Sequence, residues 1–381
     1  MRTFLFYVHL VVGLASGLYF CLVGLTGSAI EFAPEFSVWT MPPRALAVES
    51  GAPLSMETVI AQIAPMFPDR TVTRLHFSDA MDGRYKITLK SRLGDIDQLA
   101  FVDRTTGALL GIEPWWIRWL RELHYYLLNG RAGERLNGWL ALVLTIECLI
   151  GVVLWWPTAG QWRHAFTINW RGRWQAWNYD AHQVIGAISL ALLVVICVTG
   201  AYFAFPGEVA RVLYASLREV PPPRPSSRPA TAVTAIPFES LVRKAEAALP
   251  GGVATSLDPA LEPTDTIRVR IRMPGDQWDV GRSQVDFDRY SGAMVAVHNA
   301  AAFTSRVDRV ILLMMPLHYG RFGLAIRFIW MVTGIVPSLL FTSGCLMWWN
   351  RSLVKYFRRR PIPAGLPSSA GTSSSDRRNT S

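Results

Sequence analysis

The chain has 381 residues, of which 51% are hydrophobic and 17% charged, with a formal net charge of +10. A soluble globular protein carries about 25% charged residues, so this composition excludes an ordinary water-soluble fold. Many Lys and Arg residues flank apolar runs, which makes the positive charge a topology signal and excludes a nucleic-acid surface.

The first apolar run, Thr3 to Ile30, holds no charged residue and exceeds the ~20 residues that cross a bilayer. It is too long for a signal-peptide core, and no small-residue cleavage site follows. It predicts transmembrane helix 1 within residues 4–33. Residues 34–114 read as a small α+β unit. Ser55–Phe67 is helical, with Met56, Val59, Ile60 and Ile63 on one face. Thr71–Phe77, Arg84–Lys90 and Gln98–Val102 read as strands, closed by a turn at Thr106-Gly107. Residues 115–157 predict an interfacial helix and a second span, Leu136–Trp156, interrupted only by Glu147.

The loop 158–180 carries Arg163, Arg171 and Arg173, and the third span is His182–Phe205, within 181–206. Residues 207–305 form a second α+β unit behind a proline-rich linker, Pro221–Pro229. Its helix lies near Phe238–Ala248, its strands at Thr266–Met273 and Ser283–Phe287, and its turn at Tyr290–Gly292. An interfacial segment and the fourth span, Phe328–Trp349, fill residues 306–350. The tail 351–381 opens with Arg351, Lys355, Arg358, Arg359 and Arg360, and its Ser, Gly and Pro content after Pro361 predicts disorder. Trp155, Trp156, Trp348 and Trp349 mark span ends, as interfacial belts do.

The positive-inside rule puts the 158–180 loop and the tail in the cytoplasm. Both chain ends then face inward, and Pro34–Arg135 and Pro206–Arg321 lie outside, in the periplasm of a Gram-negative bacterium. The expected fold class is an α-helical membrane protein: four transmembrane helices with two small α+β periplasmic units. Each unit is too small to bury much core alone, so the two are expected to pack together or onto the membrane domain. Cys21, Cys148, Cys197 and Cys345 all fall inside spans without a CxxC or CxxCH pattern. They read as packing residues.

An internal repeat organises the chain. His9-x-x-x-Gly13 returns as His182-x-x-x-Gly186, and Thr26-Gly27 as Thr199-Gly200, both shifted by 173 residues. Asp103-Arg104-x-x-Gly107-Ala108 returns as Asp288-Arg289-x-x-Gly292-Ala293. Leu123-His124-Tyr125 matches Leu317-His318-Tyr319, Gly130-Arg131-x-Gly133 matches Gly320-Arg321-x-Gly323, and Trp155-Trp156 matches Trp348-Trp349. Recurrence in the same order indicates a duplicated half-unit.

On these motifs the chain resembles the PepSY-associated transmembrane family over roughly residues 4–350: four helices, two PepSY-like units, and histidines at the starts of two half-repeats. Within that family it is most similar to inner-membrane reductases of ferric siderophores. The resemblance implies two haem b groups and reduction of a ferric siderophore in the periplasm, with release of iron.

The histidines fit that implication. Of His9, His76, His124, His164, His182, His298 and His318, four recur pairwise and three do not. A pseudo-two-fold axis would bring His9 opposite His182 and His124 opposite His318, each pair supplying both axial positions of a haem iron. His9 and His182 lie toward the cytoplasm, and His124 and His318 toward the periplasm. His9 to Gly27 covers ~27 Å of helix, so two stations could relay an electron across the membrane. His9, Gly13, Gly17, Cys21, Gly24 and Ser28 share one helical face, which His182, Gly186, Ser189 and Gly200 partly repeat. Such a face serves close helix approach or admits a flat macrocycle. Arg131 and Arg321 follow the outer histidines, either to bind haem propionates or to anchor the helix ends in headgroups. An interhelical hydrogen bond would also account for a single intramembrane histidine. His76, His164 and His298 are expected to face solvent.

Glu147 sits mid-span, where a charge is costly, and is either a protonated acid bonded to a neighbouring helix or a proton or quinol group. Arg327 is expected to snorkel to the surface. Trp115, Trp116 and Trp119 are candidates for the floor of a substrate site. No nucleotide fingerprint occurs, so the electron donor would be a membrane quinol or a separate reductase. No general base or nucleophile is required. The chelate would be a ferric siderophore, with the hydroxamate type possible. Two other classes stay open: a siderophore or iron permease working by alternating access, with Pro337 as its one interior helix break, and a membrane-tethered PepSY binding module without redox activity.

Overall fold

The computed structural model describes residues 1–33, 35–36, 51–77, 83–92, 96–228, 236–276, 278, 280–302 and 305–353. Its first half runs α1 (Arg2–Ile30), α2 (Met56–Ile63), β1 (Arg70–His76), β2 (Arg84–Ser91), β3 (Gln98–Asp103), β4 (Leu109–Ile112), α3 (Trp115–Tyr126) and α4 (Gly130–Trp155). Its second half repeats that order as α5 (Trp174–Ala204), α6 (Pro206–Leu217), α7 (Phe238–Ala248), β5 (Val253–Asp258), β6 (Ile267–Arg272), β7 (Ser283–Phe287), β8 (Met294–His298), α8 (Arg306–Tyr319) and α9 (Leu324–Trp348). Helix α6 and a four-residue helix between the halves, Trp162–Ala165, have no counterpart among the described elements.

Helices α1, α4, α5 and α9, the last extended to Ser352, are long and apolar enough to cross a membrane. Three start earlier than hydropathy suggests, at Gly130, Trp174 and Leu324. Hydropathy marks the lipid-facing stretch, whereas a helix also continues through polar turns such as Gln175, Asn178 and Asp180. His182 therefore lies two turns inside α5, as His9 does in α1. The expected tail from residue 354 onward, and part of the proline-rich linker, lie outside the described residues.

Helix α1 packs on α4 and α9, and α5 packs on the same two. The bundle is thus a square, with α1 and α5 on one diagonal and α4 and α9 on the other. The α1–α9 contact is the closest: a Cβ on Gly24 would stand 2.2 Å from the Gly334 carbonyl oxygen. Ser28 Oγ donates to Met331 O at 2.7 Å. Arg327 does not simply snorkel. It pairs with Glu31 and Glu35 at 2.8 Å each and lies over the Phe32 ring, tying α9 to the end of α1.

The two α+β units form one eight-stranded antiparallel sheet, in the order β4-β3-β2-β1-β5-β6-β7-β8. The seam is β1 against β5, with Leu75 opposite Leu257 and His76 opposite Ser256. Arg74 Nη2 donates to Asp258 Oδ2 across it at 2.8 Å. Leu75 and Leu257 are fully buried, each contributing about 1.5–3 kcal/mol by leaving water. Helices α2 and α7 lie on one face over a shared core that includes Val59, Ile63, Ile87, Leu241, Val269 and Phe287. Each caps the other: Met56 N donates to Glu239 Oε1 at 2.8 Å, and Phe238 N to Glu57 Oε1 at 2.5 Å.

The twin Asp-Arg-x-x-Gly-Ala motifs make matching turns. Asp103 Oδ1 accepts from Thr105 N and Thr106 N, and Asp288 Oδ1 from Tyr290 N and Ser291 N. Gly107 and Gly292 then adopt φ of 73° and 63°, which only glycine takes without strain. Strands β4, β5 and β8 escape the sequence pattern because β4 and β8 are short edge strands and β5, Val-Ala-Thr-Ser-Leu-Asp, does not alternate cleanly.

Substituting Gly24→Ala should destabilise the bundle by about 1–3 kcal/mol through overpacking. Gly13→Ala, whose Cβ meets nothing within 4 Å, should leave the thermal midpoint in detergent unchanged. Equal midpoints for the two variants would contradict the close α1–α9 approach.

Candidate functional site

Four histidines meet in two pairs inside the bundle. His9 of α1 and His182 of α5 face each other along one diagonal, with ring centroids 6.5 Å apart. At the sheet end His124, near the end of α3, and His318, near the end of α8, stand at the same 6.5 Å. Two imidazoles bound trans to one metal through bonds of about 2 Å have ring centres roughly 6 Å apart. Edge-to-face aromatic contacts fall in the same range, so the separation alone does not decide between them. The nitrogens do.

Each Nδ1 is turned toward the protein. His124 Nδ1 lies 2.9 Å from Val23 O and 3.2 Å from Thr26 Oγ1. His318 Nδ1 lies 3.1 Å from Ile196 O and 3.0 Å from Thr199 Oγ1. His182 Nδ1 lies 2.8 Å from Ser343 Oγ, a hydroxyl that already donates to Leu339 O and so accepts from the imidazole. His9 Nδ1 lies 2.7 Å from Glu147 Oε2, within ion-pair distance though out of line for a hydrogen bond. An Nδ1–H fixed in this way leaves Nε2 as the nitrogen with a free lone pair, the arrangement of metal-bound histidine.

Glycines make room for the rings. A Cβ on Gly27 would reach within 2.8 Å of His124 Cε1, and one on Gly200 within 3.3 Å of His318 Cε1. Gly151 and Gly344 lie beside His9 and His182, where a Cβ would make ordinary contact at 3.5 and 3.8 Å. The repeated Thr-Gly therefore has two functions: threonine contacts the ring nitrogen and glycine admits the ring. The repeated Gly-Arg has one. Gly130 and Gly320 adopt φ of 50° and 59° and reverse the chain between each histidine helix and the next span. Arg131 is exposed and Arg321 half-buried beside that turn. Neither lines the sheet-end cavity, whose charged lining residues are Glu31 and Glu134.

The His9–His182 pair borders a cavity of about 700 Å³, and the His124–His318 pair one of about 350 Å³. The two share four lining residues, Phe20, Leu144, Leu193 and Pro337, one from each helix of the square. Phe20 and Leu193 are related by the 173 shift, and Leu144 and Pro337 by a shift of 193. One layer of side chains therefore separates the cavities. At the sheet end, the Tyr125 and Tyr319 hydroxyls meet at 3.1 Å beside the histidines. Trp115 and Trp119 are exposed on α3, and Trp116 packs near Phe36; none of the three lines either cavity.

A square four-helix membrane bundle joined to a PepSY-like antiparallel sheet defines the class. The family model for the PepSY-associated TM region matches residues 6–351, and the chain belongs to that family. No individual curated protein matches it in a sequence search.

Several participants carry no obvious sequence signal. Ser343 and the main-chain acceptors are visible only in the fold. Gly151 and Gly344 are related by the 193 shift that also links Leu144 and Pro337, so that shift could have revealed them. Glu147 stands out as a mid-span acid, but nothing in the sequence points it at His9.

The unpaired histidines divide. His164 is exposed, as expected. His298 lies 4.0 Å from buried Asp286, and His76 is half-buried at the sheet seam beside Thr88. Burial, with Lys86, Arg74 and Arg270 nearby, pushes the His76 pKa down to about 2. The unfolded chain, with His near 6.5, binds the proton first, so stability present above pH 6.5 is lost as the pH falls below it. The loss should be ~1 kcal/mol between pH 6.5 and 5.5. His76→Gln should flatten the pH dependence of the thermal midpoint by that amount. An unchanged slope would count against a buried neutral His76.

Proposed function

We propose that the chain is a di-haem b oxidoreductase of the bacterial inner membrane that passes electrons across the bilayer and reduces a ferric siderophore in the periplasm. The observation that carries this reading is the double pairing of histidines, each with its Nδ1 beside a protein oxygen. Two imidazoles at each station would hold a haem, whose porphyrin supplies the remaining donors to iron.

Haem, when bound, supplies the one-electron couple of iron. The chain's own residues do the rest. His9 and His182 would hold one group, and His124 and His318 the other. Thr26, Thr199 and Ser343 fix ring orientation. The Phe20–Leu144–Leu193–Pro337 layer keeps the two stations apart yet within one side-chain thickness. The repeated order of elements and the shared 173 and 193 shifts support an origin by duplication of one half-unit. Family membership and the Lys and Arg distribution support the periplasmic placement of the sheet, with both termini in the cytoplasm. Reducing ferric iron weakens a hard oxygen chelator's hold, which would release the metal. A membrane quinol or a separate reductase would supply the electrons.

Detergent-purified protein should show Soret and α bands that sharpen on dithionite reduction, with two haems per chain. His9→Ala or His182→Ala should leave one haem, at the sheet end. A colourless preparation, or joint loss of both haems in either variant, would defeat independent bis-histidine sites. Separately, reduced protein should be reoxidised by a ferric hydroxamate chelate, with ferrous iron captured by a colorimetric chelator. Absence of reoxidation would assign the electrons to a different acceptor.

A further inference from the structure

The cavity beside His9 and His182 is mostly apolar, and at its end away from the sheet polar side chains close it: Gln175, Asn178, Asn350, Arg351 and Ser352. Arg351 follows Gly344, the glycine against His182, by seven residues, or ~10 Å along the axis. Gln175 precedes His182 by seven residues, ~10 Å in the same direction. The carboxylate tails of a haem reach from its iron over a distance of that order.

Two observations mark these groups as awaiting a partner. Gln175 Oε1 is buried with no hydrogen bond, and a half-turn of the amide would present its NH2 instead. The Arg351 guanidinium rests 4.8 Å from the Phe6 ring centre, and among the described residues no carboxylate pairs with it. The other half of the repeat differs. Arg2, which corresponds to Gln175 by the 173 shift, donates to Leu154 O at 2.9 Å and Trp156 O at 3.3 Å. It caps the end of α4 and does not line the cavity. One cation is occupied and the other faces the cavity.

We propose that Arg351, assisted by the Gln175 amide, binds the carboxylates of the haem held by His9 and His182, and so fixes its orientation and raises its reduction potential. This rests on the di-haem reading. A haem carries one positive charge fewer when reduced, so a nearby cation favours the reduced form, and a guanidinium binds a carboxylate bidentately.

The test is a spectroelectrochemical titration of the full chain in nanodiscs. Arg351→Gln should lower the reduction equilibrium constant of one haem three- to tenfold, tenfold being 59 mV for a one-electron couple. Arg351→Lys should stay within twofold of the parent. In a His182→Ala background, where only the sheet-end haem remains, Arg351→Gln should leave the remaining potential unmoved. Loss of one haem from Arg351→Gln, with Arg351→Lys holding two, is the stronger form of the same result. Two haems with unshifted potentials in Arg351→Gln would overturn the proposal, as would a shift in the His182→Ala background or haem loss in Arg351→Lys. A parent protein without haem would overturn the di-haem reading itself.

Discussion

A buried imidazole has two nitrogens to satisfy, and in an apolar bundle each one left unmet costs free energy. This fold meets Nδ1 of His124, His318 and His182 with its own atoms, and sets His9 Nδ1 2.7 Å from Glu147 Oε2. At the sheet end the acceptors are main-chain carbonyls of Val23 and Ile196. These already serve the helical ladder, and carbonyl oxygens have a second lone pair to offer. The neighbouring threonines and glycines follow from that choice. A ring that reaches a helix carbonyl must lie against the helix backbone, and only glycine at the next position leaves the space.

Near-symmetry makes the two partners within each station alike, and its departures show where they differ. The four residues between the cavities come one from each helix and are related by the two repeat shifts, so the pseudo-axis passes through that layer. Away from the sheet the halves diverge. His182 rests on a neutral hydroxyl, Ser343, whereas His9 faces a carboxyl group, Glu147. Arg2 closes a helix end while Arg351 lines the cavity. These differences lie at the end of the bundle away from the sheet.

The sequence makes the four spans, the recurring motifs and the histidine partners legible, because long apolar runs and in-register repeats are strong one-dimensional signals. The union of both α+β units into one sheet is less legible. It depends on β5, a polar strand with weak alternation, pairing with β1 through only a few residues. Arg131 and Arg321 illustrate a different limit. Their spacing after the outer histidines suggests a ligand role, yet neither is among the residues that line the sheet-end cavity. In sequence Arg327 is a lone charge near a helix end, since its partners Glu31 and Glu35 lie almost three hundred residues earlier.

The sheet also constrains the site it adjoins. Strand β4 leads within three residues into α3, which carries His124, and β8 ends eight residues before the start of α8, which carries His318. Both helices therefore leave opposite edges of one continuous sheet, and their histidines converge below it. Slippage at the β1–β5 seam would move one helix relative to the other and change the distance between the two rings. The His9–His182 pair has no such link, because its helices enter the bundle from the far side. The two α+β units thus hold the sheet-end histidines in register, while helix packing positions the other pair.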